Sequence, residues 1–163
     1  MIFMTVGTQK FQFDRLIRSV DEYVGSKRMS DDVIAQIGNG DYIPRNFTYK
    51  RFLSNAEYDE WMEKGSIIIA HSGVATIIKG VQAGKKVIVV PRLKKYGEHV
   101  DDHQRQIADA FEGLNLVAQC LDVKELPDII EMVKHHQFEK YRSQRSMVIK
   151  TIENYINTTE WNR

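Results

Sequence analysis

The sequence predicts an α/β fold, a doubly wound, Rossmann-like parallel sheet with helices on both faces. Three observations lead there. Segments of strand character alternate with amphipathic helical segments through most of the chain, the pattern of right-handed βαβ crossovers. The runs Ser66-Ile67-Ile68-Ile69-Ala70 and Lys86-Val87-Ile88-Val89-Val90 are almost continuously apolar, as parallel strands covered on both faces are. Each run gives way to a polar, glycine-bearing segment. In such sheets ligands bind beyond the carboxyl ends of the strands, so these segments are expected to share one crevice.

The elements follow in order. Ile2 to Val6 is a buried strand broken at Gly7. Phe13, Leu16, Ile17, Val20 and Val24 recur at helical spacing and give an amphipathic helix ending near Gly25. Asp32 to Gly38 is a second strand, closed by a Gly-Asn-Gly-Asp turn. Asn46 to Leu53 is a third, with period-two character. Ser54 and Glu57 form a capping box that opens a helix to Gly65. The strand Ser66–Ala70, a helix to Gly84 and the strand Lys86–Pro91 come next, then a long polar loop. A helix from Asp101 to Glu112, a strand Leu116–Ala118 and a helix Val123–His135 follow. Pro127 would clash inside a helix, so the last of these is expected to begin only near it. Phe138 to Ile156 reads as a final helix, and the end of the chain as a frayed tail. Residues 1–157 are expected to form one domain, with 158–163 as the tail.

Composition narrows the function. The 163 residues suffice for one domain with a real core. The net charge of +1 gives no bulk attraction for nucleic acid. No apolar run approaches the ~20 residues that span a bilayer, and Met1 leads directly into a strand without a signal-peptide pattern. Cys120 is alone, which fits a reducing, cytoplasmic setting. No metal-ligand spacing of Cys or His and no Asp-x-Asp motif is present.

Three segments can carry chemistry. His71-Ser72-Gly73-Val74-Ala75-Thr76 is a small-residue turn leading into a helix. Free backbone N–H groups at the positive end of a helix dipole bind phosphate, and Gly73 and Ala75 allow close approach while Ser72 and Thr76 add hydroxyls. The plain alternative is an ordinary turn with Ser72 as N-cap. The second segment, Pro91 to Gln104, is basic at its start (Arg92, Lys94, Lys95) and ends with His99, His103 and Gln104. Loops this long in compact domains are usually functional, although the basic cluster can equally be a solvated face and Asp101 a helix cap. The third is Gly7-Thr8-Gln9, past the first strand. Together they suggest a nucleotide or nucleotide-sugar site.

The ordered run from His71 through Gly80, Gly84 and Lys85 to Pro91, followed by His103-Gln104, resembles the donor-binding half of glycosyltransferase family 28. Thr5-Val6-Gly7-Thr8 with Phe13-Asp14 is similar to that family's small stand-alone members, and Gly97 to Gln104 looks most like its bacterial exopolysaccharide and capsule group. The resemblance implies one half of a GT-B fold and a UDP-sugar as donor substrate, with neither metal nor other cofactor. It implies diphosphate contacts at Ser72, Gly73, Ala75 and Thr76, donor binding at His71, and donor-sugar contacts at His103 and Gln104. Gly7 and Thr8 would lie near phosphate and acceptor, and Arg92 and His99 near the donor. Lys79 stands where many members have a ribose-binding glutamate, and a lysine there could help neutralise phosphate. Asp14 is a candidate general base; its plainer role is a first-turn acid favoured by the helix dipole. A half-site cannot by itself exclude water from a sugar transfer. The resemblance therefore implies a membrane-anchored, acceptor-binding partner subunit and a lipid-linked saccharide acceptor. The chain would sit at the inner face of the membrane through that partner. Two other readings stay open, a non-catalytic nucleotide-binding accessory subunit and a phosphate-binding regulatory module.

Overall fold

The computed structural model describes residues 1–142. Six parallel strands, β1 (Ile2–Thr5), β2 (Val33–Gln36), β3 (Thr48–Lys50), β4 (Ile67–Ala70), β5 (Lys86–Val89) and β6 (Ala118–Gln119), form one sheet in the order β3-β2-β1-β4-β5-β6. The helices are α1 (Asp14–Gly25), α2 (Asn55–Lys64), α3 (Val74–Gln82), α4 (His103–Gly113) and α5 (Leu126–His135). Successive side chains of a strand point to opposite faces, and the core divides accordingly. Ile2, Met4, Ile67, Ile69 and Ile88 pack with Leu16, Ile17 and Val20 of α1 and Ile130 and Val133 of α5. Phe3, Ile68, Val87 and Val89 pack with Met62 of α2, Ile77 of α3 and Ala108 of α4. Ile68 and Ile69 are fully buried, and burying each is worth about 1.5–3 kcal/mol relative to exposure. This two-sided burial is why the strands carry no polar alternation.

The local signals act as expected at α2, where Glu57 N–H donates to Ser54 Oγ (3.3 Å) and Ser54 N–H to Glu57 Oε2 (2.8 Å). Pro127 takes a first-turn position of α5, behind a 3₁₀ turn at Val123–Glu125. Four boundaries move. The helix expected from Asp101 begins at His103, whose N–H donates to Asp101 Oδ1 (3.0 Å). The last strand forms at Ala118–Gln119 rather than Leu116–Ala118, because Leu116 N–H is already committed to Phe111 O at the end of α4. The third strand shortens to Thr48–Lys50. Phe138 to Arg142 is not helical; Glu139 N–H donates to Asn115 O (2.8 Å) and Phe138 lies against the core. The remainder of the expected final helix and the tail lie outside the described residues.

Candidate functional site

Strand order reverses between β1 and β4. The chain leaves β1 towards β2 and leaves β4 towards β5, so the loops after these two neighbours diverge and open a crevice between them. A cavity of about 500 Å³ lies there, lined by Thr5, Gly7, Thr8, Gln9, Gln36, Leu53, Asn55, Tyr58, His71, Gly73, Ala75, Thr76 and Lys79. Concavities of similar size occur elsewhere; this one lies over the switch point, which is why it is singled out. Seven of the residues chosen from sequence meet in it: Gly7, Thr8, His71, Gly73, Ala75, Thr76 and Lys79.

The crevice is built around His71. Its backbone N–H donates to Thr5 O (3.3 Å), extending the β1–β4 ladder, and its ring lies between Gly7 and Gly73. A Cβ on Gly73 would fall 2.6 Å from Nε2. Gly73, not Ser72, is the N-cap of α3. The first helical N–H to find a backbone acceptor is that of Ile77, on Gly73 O (3.1 Å). The amides of Val74, Ala75 and Thr76 are therefore free of the helix ladder at its positive end. Ser72 is 1% exposed, its Oγ finds no partner, and it does not line the crevice. The reading of Ser72 as cap is corrected on that ground, and its expected ligand contact has no support in this geometry.

The charges are set by burial. Burial first, and Arg92 second, hold the His71 imidazole well below its usual range, at about 4; the ring is neutral at pH 7. Burial likewise brings Arg92 down to about 10, which leaves it charged. Lys79 pairs with Asp59 of α2 and sits 4.8 Å from the ring centre of Tyr58. Tyr58 O–H donates to Thr76 Oγ1 (3.1 Å), orienting that hydroxyl at the helix end.

The loop from Pro91 to Asp102 does not join the crevice lining as expected; it packs behind the Gly7–Gln12 loop. Arg92, expected at the donor, is 1% exposed and spends its guanidinium on Val6, Phe11 and Gln12 carbonyls. Gln104 is also buried, its Oε1 accepting Arg92 N–H (3.1 Å). His99 lies 3.0 Å from Asp101 Oδ1 and against the Phe11 ring. His103 is exposed at the start of α4. Asp14 is drawn away as well, with Oδ2 accepting the N–H groups of Asp41 and Tyr42 (both 3.2 Å). That makes it an anchor for the turn after β2 and gives no support to a base role.

Sequence reasoning missed Gln36, Asn55 and Tyr58. Gln36 Nε2 donates to Gly7 O (3.2 Å) and its Oε1 accepts Leu53 N–H (3.3 Å), so it ties the crevice wall together. The available signal was a lone glutamine at the carboxyl end of an otherwise apolar strand. Among the described residues no group of three or more His, Cys, Asp or Glu side chains is placed to hold a metal ion, and no helix there is long and apolar enough to cross a membrane.

Strand order, parallel pairing and a crevice at the switch point define a Rossmann-like α/β domain of the GT-B type. The chain belongs to the family described as the glycosyltransferase family 28 C-terminal domain, which matches residues 1–157. Among curated relatives, the human UDP-N-acetylglucosamine transferase subunit ALG13 is 28% identical over 119 aligned positions, covering 65% of this chain and 10% of that protein. The Candida glabrata subunit of the same name is 33% identical over 72 positions, covering 44% of this chain and 34% of that protein. The chain thus spans about a tenth to a third of the length of these relatives. An NMR structure of ALG13 aligns with a TM-score of 0.62 at 17% identity, over 93% of this chain and 94% of that one. Acinetobacter baumannii MurG aligns with a TM-score of 0.56 at 18% identity, over 82% of this chain but 41% of that one. At these identities the structural likeness speaks for the fold.

Proposed function

We propose that this chain is the donor-binding subunit of a two-component glycosyltransferase. It would take a hexose from UDP-galactose, UDP-glucuronate or UDP-N-acetylglucosamine and pass it to a lipid-linked saccharide in exopolysaccharide or capsule synthesis. Family membership supports the reaction class, and the printed names of the curated relatives support a UDP-sugar and a subunit role. The observation that carries the reading is the free amide cluster of Val74, Ala75 and Thr76, opposed by Gly7 and floored by the neutral His71 ring. Such amides hold a diphosphate and stabilise charge that builds on it as it leaves. Lys79 at the rim adds a cation. The other wall, the acceptor and membrane attachment at the cytoplasmic face would come from a membrane-anchored partner.

Calorimetry with UDP, with ADP as control, tests the binding step; transfer from labelled UDP-sugars with the partner present tests the chemistry. Saturable UDP binding without transfer would favour a second reading, a nucleotide-binding accessory subunit. Lys79 in place of the usual glutamate is the observation that favours it.

A further inference from the structure

The geometry points to Arg92 as a positioning residue: its guanidinium sets the Gly7–Gln12 loop in register with the crevice, without touching ligand. The inference rests on the donor-binding reading above. Nη2 donates to Val6 O (2.6 Å), and Nη1 to Phe11 O (2.6 Å) and Gln12 O (2.8 Å). These carbonyls bracket the loop that carries Gly7, Thr8 and Gln9 into the crevice. Arg92 N–H meanwhile donates to Gln104 Oε1 at 3.1 Å. A single side chain in the loop after β5 thus ties the end of β1 to the start of α1.

The surroundings brace the arginine itself. Glu98 is fully buried and accepts from Arg15 Nε (2.9 Å), Arg15 Nη2 (3.0 Å) and Leu93 N–H (3.0 Å). Gln12 Nε2 donates to Tyr96 O (3.1 Å). The Arg92 charge is supported by the buried Glu98 carboxylate and by the carbonyl dipoles it donates to, Glu98 O among them (3.4 Å). A buried cation held this way is an expensive filler for a core, and an aliphatic residue would fill the space at lower cost. What a planar five-donor fork adds is fixed geometry among several acceptors. A lysine has the charge without the fork.

The test is hydrogen exchange and UDP calorimetry on Arg92→Lys and on Arg92→Ala with and without millimolar guanidinium ion. The expected result is lost amide protection from Gly7 to Gln12 and UDP affinity down about tenfold or more, while the Gln104 side-chain amide resonance, held by a backbone N–H that both variants keep, stays in place. Protection in β1, β4 and β5 is kept, and guanidinium restores both loop protection and affinity in the alanine variant. Unchanged loop protection in folded Arg92→Lys would overturn the role. So would loop disorder without loss of UDP affinity, or an alanine variant that guanidinium does not rescue. A wild-type chain that ignores UDP would instead sink the donor-binding reading, while the exchange data still decide whether Arg92 holds the loop.

Discussion

The His71 ring and Gly7 pack so closely that a Cβ on Gly7 would lie 2.5 Å from Cε1 and 2.8 Å from Nε2. Gly7 also has φ +75, a conformation that costs other residues. Gly7→Ala therefore meets both strain and collision with the His71 ring. The expected loss is about 2–4 kcal/mol in urea unfolding, with UDP binding lost. Gly84→Ala is the control. Gly84 has φ +69 but nothing within 4 Å of an added Cβ, so only strain of about 1–2 kcal/mol remains. Equal losses in the two variants would show that the His71 contact does not matter.

His71 makes stability depend on pH. Its folded value of about 4 lies below the ~6.5 of an unfolded histidine. Between these values the unfolded chain binds more protons than the folded one. Stability from this group is therefore complete above about pH 6.5, falls as pH drops to about 4, and changes no further below; the loss is about 3 kcal/mol. Urea unfolding of wild type and His71→Leu at pH 7 and pH 4.5 checks it. The variant should lose distinctly less over that interval.

Lys79 and Asp59 form a pair on an exposed surface, with side chains 44% and 64% accessible. Such pairs contribute little to stability. Lys79→Ala should shift unfolding by less than about 1 kcal/mol while weakening UDP binding. Asp59→Asn, which frees the ammonium, should strengthen UDP binding at low salt and lose the advantage at high salt. Matched changes in stability and affinity would assign Lys79 a packing role instead.

Tyr58→Phe removes the hydroxyl that donates to Thr76 Oγ1 and leaves the ring against Phe3, 5.5 Å between centroids. The expected effect is a roughly fivefold weaker UDP affinity, one hydrogen bond's worth, with little change in thermal midpoint. A drop of many degrees would mean that the hydroxyl serves the fold rather than the site.

The sheet was legible because burial on both faces forces continuous apolar runs, and Ile67 to Ala70 or Val87 to Val90 can form little else. The crevice was legible at Gly7 and from His71 to Thr76, since loops at the carboxyl edge must lie there once strand order is known. Contacts distant in sequence were not legible. Nothing in the spacing says that Arg92 reaches back 86 residues to Val6, so a conspicuous cation was taken for a ligand contact. The anchoring role of Asp14 was not legible for the same reason, because its partners at Asp41 and Tyr42 lie across a helix and a strand. Tyr58 escaped notice since the segment from Ser54 to Gly65 signalled only a capped helix.

The central claim is that a uridine diphosphate group sits on the amides that open α3. An NMR titration of the ¹⁵N-labelled chain with UDP tests it most directly. The account predicts saturable shifts in the amides of Gly73, Val74, Ala75 and Thr76 together with Gly7 and Thr8. Shifts confined to other surfaces, or none at millimolar UDP, would contradict it.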